Sequence, residues 1–86
     1  MNPFEKRLKE ELERENPDCV VLRNGWPDFA VVNKTTGKMV KAVEGKAPGD
    51  FIRPHQSEIH RALQEAGVPV ETYFGIGSDF HVETAK

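Results

Sequence analysis

The stretch Met39-Val40-Lys41-Ala42-Val43-Glu44-Gly45-Lys46-Ala47-Pro48-Gly49 decides how this chain is read. From Met39 to Ala47 it alternates. Met39, Lys41 and Val43 fall on one side, and Val40, Ala42 and Glu44 on the other, which is the period of a strand. Pro48 and Gly49 then open a loop that runs to Arg53. Glu44 and Lys46 stand two apart, so a strand places both on one face. Just upstream, Lys34-Thr35-Thr36-Gly37 reads as a hairpin turn, and Asp28 to Asn33 as the strand that feeds it. Counting back from that turn brings Asp28 to the Glu44 end of the pair.

Further out, Asn24-Gly25-Trp26-Pro27 breaks the chain, and Cys19 to Leu22 is a short β-branched run expected to be a strand. Phe4, Leu8 and Leu12 recur at steps of four, predicting a helix from about Pro3 to Glu15. Asn2 can cap its start, Pro3 suits its first turn, and Asn16-Pro17 ends it. Downstream, Pro54 to Ala66 predicts a second helix, with Ile59 and Leu63 one turn apart beside Ala62 and Ala66, and Gly67 as its C-cap. Val68 to Phe74 is a fourth strand. After the Gly75–Ser78 turn, Asp79 to Glu83 can add a short edge strand. The order is α-β-β-β-α-β, an α/β arrangement with a mixed four-stranded sheet flanked by helices.

With 86 residues, the chain is expected to form one domain over residues 1–86. A chain of this size buries only about 60% of its unfolded surface, which leaves no room for a cofactor domain beside a substrate domain. The single cysteine, Cys19, excludes an internal disulfide and a cysteine-rich zinc site. No apolar run approaches the ~20 residues of a membrane span. Met1 to Glu15 carries no apolar signal core, so an intracellular, cytoplasmic location is expected. The net charge of −2 argues at first against nucleic acid. The distribution argues otherwise. Lys34, Lys38, Lys41, Lys46 and Arg53 face only two acids in that span, Glu44 and Asp50.

Asp28, Glu44 and Lys46 would meet at one sheet edge. Two carboxylates held together repel unless a cation neutralises them. A hard ion such as Mg²⁺, with oxygen ligands and retained waters, suits that role. It can bind a phosphate oxygen and acidify a water, which a nearby lysine orients. By spacing alone, Glu44 and Lys46 are better explained as solvated residues of an exposed strand face, with Asp28 as a turn residue.

The wider context is more specific. Gly25-Trp26-Pro27-Asp28, then Glu44-Gly45-Lys46-Ala47-Pro48-Gly49, then Pro54-His55-Gln56 opening a helix that ends in Ala66-Gly67 before a strand, resemble the PD-(D/E)XK nuclease superfamily. Within it the chain looks most like the VRR-NUC family, particularly its small stand-alone, phage-type members. Phe4-Glu5-Lys6-Arg7-Leu8 is similar to that family's first-helix segment. The resemblance spans residues 4 to 74 and implies a minimal restriction-endonuclease-like core.

It also implies roles. Asp28 and Glu44 would be metal ligands, joined by the backbone carbonyl of Gly45 and by Glu5 from the first helix. Lys46 would be the catalytic lysine, and Gln56 would orient Lys46 or a phosphate. Apart from the resemblance, the charges of Arg53, Lys41 and Arg61, with Lys34 and Lys38, read as a phosphate-contacting surface, and His55 beside Gln56 can join it. The implied cofactor is Mg²⁺, with Mn²⁺ able to substitute. The implied activity is hydrolysis of DNA phosphodiesters, in four-way junctions or other branched DNA, by a homodimer. A catalytically inactive module of the same fold, binding nucleic acid or a protein, is the alternative.

Two residues depart from the family pattern. Glycine at 45 is expected to loosen the strand and remove a core contact. Phe29 follows the aspartate where relatives carry a polar residue. His55, His60 and His81 are dispersed, and the five-residue spacing of His55 and His60 does not make a zinc site. Trp26 is expected to pack in the core or to cover the site, and Cys19 to be a small buried hydrophobe.

Overall fold

The computed structural model describes residues 2–23 and 28–84. Helix α1 (Pro3–Glu15) leads into strands β1 (Cys19–Arg23), β2 (Phe29–Asn33) and β3 (Met39–Lys46). Helix α2 (Pro54–Glu65) and strands β4 (Val70–Ile76) and β5 (Asp79–Thr84) complete the order. The sheet has five strands rather than four, in the order β1-β2-β3-β4-β5. The extra one is the Asp79 edge strand, which pairs along its whole length with β4, from Glu71↔Thr84 to Ile76↔Asp79. Neighbours are antiparallel except β3 and β4, which run parallel because α2 carries the chain back between them.

Each helix end follows from local chemistry. The Glu5 N–H donates to the Asn2 side chain at 2.8 Å, and Asn2 Nδ2 donates back to Glu5 Oε1 at 2.8 Å. This reciprocal cap satisfies donors that the first turn would otherwise leave unpaired. At the end of α2, the Gly67 N–H donates to Gln64 O and the Val68 N–H to Leu63 O. Gly67 supplies the positive φ of 89° that this Schellman ending needs.

The core lies between α1 and the sheet. Leu8 and Leu12 are fully buried against Val21, Phe29, Val31, Val43 and Tyr73, with Phe4, Cys19 and Phe80 packed around them. Phe4 rests on two glycines of adjacent strands. A Cβ on Gly45 would lie 2.7 Å from Leu8 and 3.1 Å from Phe4, and one on Gly75 would lie 2.7 Å from Phe4. This corrects the expectation for Gly45. The missing side chain leaves no hole, because it is what allows the start of α1 to sit directly on β3.

Helix α2 covers the opposite face less completely. Its one buried residue is His60, while Ala62 and Ala66, expected beside the apolar stripe, are exposed. Beyond its reach Val20, Leu22 and Met39 remain 41%, 48% and 45% exposed. Val20 and Leu22 flank Val21 of the α1-side core, so they point the other way. Val20 pairs with Val32, and Val32 with Met39, which makes an apolar row across three strands.

A candidate nuclease site at the end of β3

One irregularity places the acids. Next to the turn Val32 pairs with Met39, but Val31 pairs with Lys41 and Phe29 with Val43. Val40 is therefore the extra residue of a β-bulge. Without it residue 28 would fall opposite Val43. The one-residue shift instead puts Asp28 across from Glu44. The Gly45 N–H donates to Asp28 Oδ2 at 2.9 Å, fixing that carboxylate against the β3 backbone.

Glu44 and Lys46 point under α2, each only 4% exposed. Lys46 Nζ lies 3.9 Å from Glu44 Oε2 and donates to Gln56 Oε1 at 2.8 Å. The same Gln56 oxygen accepts the Arg53 N–H at 2.9 Å, so one side chain both caps α2 and holds the lysine. Glu44 Oε1 faces His60 Nε2 at 3.4 Å. Every buried side-chain nitrogen and oxygen among the described residues has a partner. That satisfaction is what makes so polar an interior tolerable.

The electrostatics reflect the burial of Glu44 first and its nearness to Asp28 second. Burial, then the hydrogen bond and charge of Asp28, push the Glu44 carboxyl up to about 8, against a smaller lowering by Lys46. Burial, with the nearby Lys46, pushes His60 below its ordinary value. Without a cation, the Asp28–Glu44 corner therefore holds a proton well above the usual carboxylate range.

A cleft of about 330 Å³ opens beside this corner, lined by Asn2, Pro3, Phe4, Glu5, Asp28, Gly45, Ala47 and Asp50. Glu5 thus reaches the same opening as Asp28, although its carboxylate is engaged by Asn2 and lies 3.5 Å from Arg23 Nε. Among the described residues no group of three or more His, Cys, Asp or Glu is arranged to hold a metal. The pair Asp28 and Glu44 nevertheless fits a hard divalent ion that keeps several waters. Such an ion needs few protein oxygens, and here the Asp28 carboxylate lies beside that of Glu44.

The fold brings Asp28, Glu44, Gly45, Lys46 and Gln56 together and sets Glu5 beside them. Arg53 and His55 are exposed at the adjoining start of α2, and Arg61 is exposed further along it. Lys41 stands apart. It lies on the α1 side of β3, bound to Glu71 Oε1 at 2.5 Å and close to the Tyr73 hydroxyl. Lys34 and Lys38 sit at the turn, the far end of β3 from the acids. Gly25, Trp26 and Pro27 lie outside the described residues, as does any role for Trp26.

Two residues near the site were not assigned from sequence. Asp50 lines the cleft, and its charge adds to the rise at Glu44. Its signal was its place as one of two acids in a basic segment. His60 is buried against Glu44, and its signal was a spacing of four from Gln56, one helical turn.

A family model for the VRR-NUC domain matches residues 4–75. The chain belongs to the VRR-NUC family. That family is a nuclease family of PD-(D/E)XK-like fold, in agreement with the five-stranded mixed sheet and two helices. No curated protein matches the chain. Among the described residues, no helix is long and apolar enough to cross a membrane. The match begins at Phe4, which rests on Gly45 and Gly75, and ends at Gly75 itself. The VRR-NUC segment therefore contains every side chain of the site corner.

Proposed function

We propose that this VRR-NUC chain is a single-domain, divalent-metal-dependent DNA endonuclease whose site is Asp28, Glu44, Lys46 and Gln56. The observation that carries the proposal is the shared corner. Asp28 lines the cleft and adjoins the buried Glu44, with a lysine anchored beside them. Asp28 and Glu44, with the Gly45 carbonyl, would hold Mg²⁺ or Mn²⁺. The bound ion would supply Lewis acidity toward a phosphate oxygen and a water.

The remaining work falls to the protein's own groups. Gln56 fixes Lys46 Nζ so that its charge faces the reacting phosphate rather than solvent, which favours the charge built up in the transition state. Glu5 and Asp50 add negative charge around the opening and raise the attraction for a cation. Arg53 and His55, exposed at the start of α2, are placed to take a phosphate next to the one attacked.

Branched DNA is the proposed substrate and a homodimer the proposed assembly. The apolar row Val20–Val32–Met39, with Leu22 beside it, supports the second subunit. One sheet face is left uncovered there, and it is continuous across three strands. The site end of β3 lies clear of that row, so a second copy could dock on it without closing the cleft.

The decisive assay offers labelled four-way junctions, flaps, single strands and plain duplex to the protein, with Mg²⁺ or EDTA, and repeats this with Lys46→Ala. Wild type should cut branched DNA only with Mg²⁺. Lys46→Ala should lose at least ~10²-fold of that rate while still folding. Intact DNA in every wild-type lane would overturn the enzyme and favour the binding module. Sedimentation should give a dimer that Leu22→Glu dissociates, and a wild-type monomer at high concentration would remove the homodimer.

A further inference from the structure

We infer that His60 is a positioning residue for the metal-binding carboxylate, acting through Glu44 Oε1. The inference rests on the proposed nuclease site and adds a residue to it. Helix α2 presents two polar side chains one turn apart to the same strand. Gln56 Oε1 takes Lys46 Nζ at 2.8 Å, and His60 Nε2 stands 3.4 Å from Glu44 Oε1. Residues four apart share a helix face, so one rigid element addresses both polar residues of the Glu44-Gly45-Lys46 strand end.

The two oxygens of Glu44 therefore have different neighbours. Oε1 is on the His60 side, and Oε2 is on the Lys46 side at 3.9 Å. With its proton on Nε2, His60 donates to Oε1 and restrains rotation of the carboxylate, keeping it aligned with Asp28. Both side chains are 6% exposed, so water cannot replace the imidazole there. His60 is also the one described residue of α2 that is buried, although Ile59 and Leu63 are more apolar. A helix that only needed packing would bury those instead. Partners that orient a ligating group tune its affinity for metal without touching the ion.

The test measures Mn²⁺ binding to the DNA-free protein by calorimetry, with melting temperatures recorded alongside. Two variants remove the donor while keeping bulk, His60→Leu and His60→Phe. His60→Gln keeps an N–H near the same point. The donor-free variants should bind Mn²⁺ about 10-fold or more weakly, and His60→Gln should recover most of that loss. The Mg²⁺ concentration for half-maximal cleavage should shift in the same order. Donor-free variants that fold and bind Mn²⁺ like wild type would overturn the inference alone. His60→Gln falling as far as His60→Leu would do the same, since packing would then explain both. A wild type that binds no Mn²⁺ would overturn the nuclease site itself. Should both bulky variants fail to fold, His60→Gln still decides, because the inference requires it to bind Mn²⁺ near the wild-type affinity.

Discussion

On strand β3, Val43 and Gly45 face α1 while Glu44 and Lys46 face α2, and the two sides of the sheet are built on different principles. The α1 side is apolar and closely packed. Leu8, Leu12, Phe29, Val31 and Val43 are all fully buried there. Among the described residues, the α2 side buries Glu44, Lys46, Thr72 and His60 beside only two apolar residues, Ala42 and Val70. The first arrangement stabilises through apolar area removed from water. The second costs desolvation, recovered only while each polar group keeps its partner. In so small a chain the site is therefore carried by the opposite face of the same strands. Stability and chemistry should respond separately to substitution.

The largest expected effect tests the α1 side. Leu12→Ala should cost about 2–5 kcal/mol in urea unfolding, since it empties a fully buried position. A loss below ~1 kcal/mol would mean that the apolar face is not the main source of stability.

Next comes pH, which probes the α2 side. Glu44 has a folded value of about 8 against an ordinary 4.5, so the folded protein keeps a proton that the unfolded chain has released. This contribution is full below about 4.5 and is lost as pH rises toward 8. His60 acts in the opposite sense, because its lowered value costs stability as pH falls below 6.5. Metal-free protein should thus lose about 1–2 kcal/mol between pH 6.5 and 8, the interval in which Glu44 acts alone of the two. Saturating Mg²⁺ should flatten that slope by displacing the proton. A flat profile in EDTA would contradict the close Asp28–Glu44 pairing.

The smallest effect joins the faces. Gly45→Ala should cost about 1 kcal/mol, at the low end of overpacking, because the atoms it meets, in Leu8 and Phe4, are side-chain ends that can shift by a small amount. Its activity should fall further than its stability, because any shift of the strand to relieve the contact moves the backbone N–H that holds Asp28. Equal stability of Gly45→Ala and wild type would show that α1 does not need the close approach.

Much of this contrast was legible in the sequence. The spacing of Phe4, Leu8 and Leu12 located the α1 stripe. The Lys34–Gly37 turn and the alternation before Lys46 located Asp28, Glu44 and Lys46. Four features escaped for physical reasons. The bulge at Val40 has no residue signature, yet it sets Asp28 opposite Glu44 rather than Val43. Gly45 reads as a weakness in a lone strand, and only the approach of Phe4 and Leu8 reveals why it is needed. His60 was compared with His55, whereas its structural companion is Gln56. The length of the edge strand β5 depends on pairing with β4, which local composition does not encode.

The central claim is that Asp28 and Glu44 form a cation site on the polar face of a sheet stabilised from its other face. Calorimetric titration of Mn²⁺ into wild type and Glu44→Gln at pH 7.5, with thermal unfolding of both, tests it most directly. Wild type should bind Mn²⁺ with release of a proton, and Glu44→Gln should bind at least ~10-fold more weakly while melting no lower. Equal Mn²⁺ affinity in the two proteins, or no binding by wild type, would contradict the claim.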